Sequence, residues 1–72
     1  QSDVIEYKVH TGARITRKAV RDLKLPPNVN IGGYVREGKG YLANGNTTFL
    51  PNDIVVIFCL KNEFRHLEKY FK

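Results

Sequence analysis

Seven consecutive apolar residues, Ile54–Leu60 (IVVIFCL), constrain this chain more than any other feature. Successive side chains of a strand point to opposite faces, so an unbroken apolar run greases both. Such a strand belongs in the middle of a sheet and is predicted to be covered on each side. Seven residues are too few to span a bilayer as a helix. The whole chain has 72 residues, enough for one domain. A chain of that size buries only about 60% of the surface its unfolded form exposes. Cys59 is the single cysteine, so no disulfide within the chain supplements the core. A second copy or a neighbouring domain is expected to supply the missing stability.

The remaining elements follow from periodicity and turn chemistry. Ile5, Tyr7 and Val9 alternate with Glu6, Lys8 and His10, which predicts a half-buried strand over Val4–His10. Ile15, Ala19 and Leu23 recur at helical spacing, with Arg17, Lys18, Arg21 and Lys24 on the other side. A short amphipathic helix is expected there, begun by Thr16 accepting the Ala19 N–H and stopped by Pro26-Pro27. From Val29 a strand is predicted with Val29, Ile31, Gly33 and Val35 inward. Its Gly32-Gly33 pair marks a bulge or a close approach. Glu37-Gly38 reads as a hairpin turn into Lys39–Ala43. Asn44-Gly45-Asn46 and Pro51-Asn52-Asp53 read as two further turns flanking a brief strand at Thr47–Leu50. After the central strand, Asn62 suits a helix N-cap. Leu60, Phe64, Leu67 and Phe71 then form one stripe of a terminal helix that seals the sheet. The pattern is β-α-β-β-β-β-α, an α+β module with a mainly antiparallel sheet covered by helices, expected to dimerise.

Charge and chemistry narrow the function. Net charge is +5, and residues 1–36 hold seven Lys/Arg against three acids. The excess lies at Arg14, Arg17, Lys18, Arg21 and Lys24, opposed locally by Asp22. Such a patch suits nucleic acid, an anionic membrane, an acidic partner or a phosphorylated small molecule, and it is equally an ordinary solvated helix face. His10 and His66 are the only imidazoles and lie far apart, without Cys or His at ligand spacing, so no metal site is expected. Cys59 sits in the apolar run and reads as a buried thiol rather than a nucleophile. Gly38-Lys39-Gly40 lacks the strand-loop-helix frame and following Ser or Thr of a phosphate loop. No catalytic set emerges, and an enzyme is not expected. Phe49, Phe58, Phe64 and Phe71 read as internal, which leaves Tyr34 and Tyr41 as weak candidates for stacking bases; nucleic acid is an unlikely partner. The opening Gln-Ser-Asp-Val lacks a basic signal n-region, so no signal peptide is expected, and its missing Met reads as a segment of a longer protein or as mature processing; the absence of a disulfide fits a reducing cytosol.

The order of these pieces resembles the TrkA-C family, the C-terminal subdomain of regulator-of-potassium-conductance (RCK) proteins. The resemblance rests on Ile15–Leu25 ahead of Pro26, on Val29-Asn30-Ile31 running to Arg36, and on Asn44-Gly45-Asn46-Thr47. It extends through Leu50 to Asp53 before the hydrophobic strand and the terminal helix. The family usually has a glycine where Thr16 or Arg17 stands, opening the first helix, and often a proline near Ala43. The resemblance implies one regulatory domain over residues 1–72 that pairs with its own copy beside a Rossmann-type nucleotide-binding domain. It implies a cytoplasmic location, peripheral to the inner face of the cell membrane, where a potassium transporter subunit is the partner. It also implies a small anionic effector, a nucleotide or cyclic dinucleotide, in the cleft between copies; no cofactor is expected in this segment itself. Carried over by position, the ligand-binding candidates are Asn30, Ile31 and Arg36, with Arg14 adding charge. Each also has a structural reading, Ile31 in the core and Asn30 and Arg36 on a solvated face. Three other readings stay open: the same module fused to another ion or anion transporter, a small basic nucleic-acid-binding domain, and an interaction module with no ligand.

Overall fold

The computed structural model describes residues 2–60 and 63–72. Four antiparallel strands form one sheet in the order β1-β4-β2-β3: β1 Ser2–Lys8, β2 Val29–Arg36, β3 Lys39–Leu42 and β4 Ile54–Leu60. A terminal helix, α1, covers Phe64–Phe71, and two 3-10 helices, Arg14–Thr16 and Val20–Asp22, lie between β1 and β2. The expected N-cap Asn62 lies outside the described residues. The α+β class and the antiparallel sheet agree with the sequence pattern, and β4 is central as its apolar run requires.

One face of the sheet carries the core. Val55, Ile57 and Cys59 of β4 are buried with Val9, Ala13, Ile15, Leu23 and Phe49, under Leu67, Tyr70 and Phe71 of α1. The Tyr7 and Phe71 rings stack at 4.5 Å between centroids, fastening the helix to the edge strand. Burial pushes the Cys59 thiol above its ordinary pKa, helped by the nearby charges of Asp3 and Glu63. This cysteine therefore resists forming the reactive thiolate.

Local turn chemistry is realised closely. Glu37 and Gly38 both take positive φ, 52° and 80°, giving the two-residue hairpin turn closed by the Arg36–Lys39 pair. Asn52 follows Pro51 at φ 77°, and the Asp53 N–H donates to the Leu50 carbonyl at 3.1 Å.

Four expectations are corrected. The segment Ile15–Lys24 is two 3-10 helices rather than one α-helix, because its amide groups are engaged elsewhere. The Val20 N–H donates to the Thr47 carbonyl (2.9 Å) and the Arg21 N–H to that of Gly45 (3.0 Å), while Ala19 between the helices is extended. Thr16 does not cap the Ala19 N–H; its hydroxyl donates back to the Ala13 carbonyl at 2.7 Å. Thr47–Leu50 is loop, its amides held by the Asn44 carbonyl and the Asp53 carboxylate rather than by a strand. Finally, the Gly32-Gly33 bulge exchanges the two faces of β2. Ile31 pairs with Ile57, but Gly33 pairs with Val56, so Gly32 is the inserted residue. Beyond it Tyr34 and Arg36 share the core side with Val55, and Val35 joins Ile54 on the other.

Candidate functional site

Among the described residues, no layer covers the second face of the sheet. The cross-strand pairs place Val4 beside Phe58 and Asn30, and Val56 beside Gly33 and Leu42. Val4 is 60% exposed, Phe58 45% and Leu42 89%, with Ile54, Val35 and Val56 half-buried among them. Phe58, read from sequence as internal, thus faces outward, and β4 is covered on one side only. Gly32 makes room for the Phe58 ring, since a Cβ there would collide with it. The apolarity of both faces of Ile54–Leu60 signalled this surface; the glycine pair at the bulge determined which β2 residues share it. Glu6 and Lys8 rim this face along β1.

The four residues singled out from sequence fall in different surroundings. Asn30 is exposed on the open face next to Phe58. Ile31 is on the core side, half-buried and packed against the core cluster. Arg36 is six residues from Asn30, about 20 Å along the strand, and on the opposite face because of the bulge. Arg14 starts the first 3-10 helix, its guanidinium 5.6 Å from the centre of the Tyr70 ring. Within one chain, Asn30 and Arg36 do not converge on one pocket.

Arg36 instead closes an ion pair with buried Asp53. Its Nε donates to Oδ1 at 2.8 Å and its Nη2 to Oδ2 at 2.7 Å, the two-pronged geometry that suits a planar fork. Asp53 is 1% exposed and also accepts the Leu50 N–H at 2.8 Å. Burial by itself would raise the Asp53 pKa, but the hydrogen bonds from Arg36 and Leu50 outweigh it and hold the carboxyl below its ordinary value. The guanidinium, 4.9 Å over the Tyr34 ring, also reaches the Thr48 carbonyl at 3.3 Å. Backbone bonds between Val9 and Asp53 (2.8 Å) and between Asn52 and Val9 (2.7 Å) tie the same corner to the segment after β1. The Arg36–Asp53 pair therefore pins the ends of three strands.

A separate cavity of about 250 Å³ lies along the 3-10 segment, lined by Arg14, Arg17, Lys18, Asp22, Leu23 and Lys24. The basic patch seen in the sequence is therefore concave. Among the described residues, no three His, Cys, Asp or Glu side chains gather as a metal set.

Comparison with known proteins agrees with this geometry. The TrkA-C domain model matches residues 4–72. A Trk system potassium uptake protein TrkA homolog of Archaeoglobus fulgidus is 32% identical over 69 residues, covering 96% of this chain and 16% of that protein. The chain thus spans about one sixth of the length of that relative. A solved structure of an RCK domain with cda superposes with a TM-score of 0.79 at 12% identity, over 96% of this chain and 97% of that one. That likeness establishes the fold. With the family match running almost end to end, the chain belongs to the TrkA-C domain family.

Proposed function

We propose that this chain is the regulatory, ligand-sensing and dimerising domain of a cytosolic subunit that controls potassium transport. It acts by binding rather than by catalysis. The observation that carries this reading is the open apolar face of the sheet with Asn30 on it, in a family represented by a Trk potassium uptake protein. A second copy is the occupant that fits. Glu6 and Lys8 sit two residues apart on the rim of this face, so a twofold axis passing between them would set each opposite its counter-charge in the partner copy. The pairing buries apolar surface that none of the described residues covers.

In this reading a nucleotide or cyclic dinucleotide binds where the two copies meet, and Asn30 contributes side-chain amide hydrogen bonds. Ile31 shapes the strand beneath, Arg36 holds the strand ends in register, and Arg14 adds positive potential. An effector that favours one arrangement of the pair shifts its population, and couplings of about 1–3 kcal/mol change affinity roughly 5–150-fold. A neighbouring Rossmann-type domain passes the bias to a membrane transporter subunit at the inner face of the cell membrane.

Sedimentation tests the pairing. The 72-residue chain is expected at twice the mass of one copy, and Phe58→Glu at the mass of one copy with its secondary structure intact. A wild-type chain that stays single at high concentration refutes the proposal. A thermal-shift screen with nucleotides and cyclic dinucleotides then identifies the effector, with Asn30→Ala expected to reduce the shift.

A further inference from the structure

The cationic cavity on the 3-10 segment is not explained by pairing or by the fold. Five cations, Arg14, Arg17, Lys18, Arg21 and Lys24, fall within eleven residues, and Asp22 is the only acid among them. Of these, Arg21 is 3.9 Å from Asp22, a long and exposed approach. Among the described residues, Arg14, Arg17, Lys18 and Lys24 have no carboxylate partner. Like charges held together without counter-charge repel one another, and nothing in the core requires them to share a cavity.

Two of the guanidinium groups and the Lys24 backbone are held by the structure rather than left to solvent. The Arg17 Nη2 donates to the Gly12 carbonyl at 3.0 Å, which holds the guanidinium against the start of the segment. Arg14 lies over the Tyr70 ring. Lys24 has a left-handed backbone, φ 54°, an uncommon state for a lysine. The buried Tyr70 hydroxyl donates to the Lys24 carbonyl at 3.0 Å and stabilises that conformation. Leu23 is buried and gives the cavity an apolar wall. A concave site of about 250 Å³ lined by two guanidinium groups, two ammonium groups and one carboxylate, that of Asp22, keeps a net positive charge and suits a compact polyanion better than a flat surface does.

We infer that this cavity is a binding site for a phosphate group of multiple charge, complete within a single copy of the chain. It is distinct from the effector site placed above between two copies. Arg14 and Arg17 donate paired N–H groups to phosphate oxygens, and Lys18 and Lys24 supply point charge at the rim. A phosphate on a soluble molecule and one on a lipid headgroup share this recognition chemistry.

The test is a titration of the ¹⁵N-labelled chain with pyrophosphate at constant ionic strength, read by amide chemical shifts. Saturable shifts confined to residues 13–24 are expected, and they persist in the Phe58→Glu chain. Lys18→Gln and Arg14→Gln are each expected to weaken binding by about tenfold, the loss of one charge-assisted hydrogen bond. Lys18 is exposed, so its substitution leaves the melting temperature unchanged and keeps the result interpretable should Arg14→Gln disturb the Tyr70 contact. Phosphatidic acid vesicles, whose phosphomonoester headgroup carries more than one charge, identify a lipid phosphate as the source if they compete with pyrophosphate, and a soluble one if they do not. Shifts that fail to saturate, that spread equally to Lys8 and Lys39, or that saturate at the same pyrophosphate concentration in Lys18→Gln overturn the inference. Loss of these shifts only in the single-copy variant overturns it too, and would assign the anion to the interface between copies.

Discussion

Replacing Arg36 by alanine leaves Asp53 as a buried carboxylate whose one remaining donor is the Leu50 N–H. Removing one partner of a buried ion pair costs about 3–5 kcal/mol, because the other charge stays desolvated. The Arg36 side chain is 29% exposed and the Asp53 side chain 1%, so water already reaches one side of the pair and the lower figure applies. Stability of about 0.05–0.15 kcal/mol per residue gives a chain of this length roughly 4–11 kcal/mol in total. Arg36→Ala therefore removes between a quarter and three quarters of what holds the domain folded. With a urea m-value of about 1–1.5 kcal/mol/M, the unfolding midpoint falls by roughly 2–3 M. The informative comparison is Arg36→Ala with Asp53→Asn in the same chain. The asparagine carbonyl still accepts the Leu50 N–H but carries no charge to strand, so the double variant is expected to be more stable than Arg36→Ala alone. A cost below about 1 kcal/mol for Arg36→Ala, in the range of a surface pair, refutes the reasoning. So does a double variant less stable than Arg36→Ala.

The depressed Asp53 pKa fixes the sign of a pH effect. The folded value lies below the unfolded one, so the stabilisation is present above the ordinary aspartate pKa of about 3.9 and is lost as pH falls through the folded value. Unfolding measured from pH 6 to pH 2 is expected to show an acid limb that Asp53→Asn flattens. At Gly33, an added Cβ meets the Tyr41 carbonyl oxygen at 2.5 Å, a backbone atom that cannot turn aside. Gly33→Ala is expected to destabilise the chain by about 1–3 kcal/mol, a drop in melting temperature of at least about 4 °C. Gly40→Ala, where nothing lies within 4 Å of the new atom, serves as the near-neutral control.

How much was legible in the sequence depended on the range of the interactions involved. The Glu37-Gly38 and Pro51-Asn52 turns were readable because positive φ and fixed proline φ are properties of the residues themselves. The central place of Ile54–Leu60 was readable because its two apolar faces admit few alternatives. The helix expected at Ile15–Lys24 failed because the Thr47 and Gly45 carbonyls, more than 20 residues away, take the Val20 and Arg21 amides, and periodicity carries no record of such bonds. The glycine pair announced a bulge but not that Gly32 would be the inserted residue. That single step moved Val35 outward and Arg36 inward. Arg36 was singled out for its chemistry, and only its distance to Asp53 revealed a partner 17 residues on. The basic patch was visible as composition, whereas its concavity required the left-handed turn at Lys24.

The phenol of Tyr70 reaches back 46 positions to the carbonyl of Lys24. During synthesis, therefore, the early basic stretch emerges from the ribosome without the contact that shapes it. The Lys24 and Arg14 contacts to Tyr70 form only once the terminal helix has been made and docked, so the chain cannot display a finished anion cradle while still nascent.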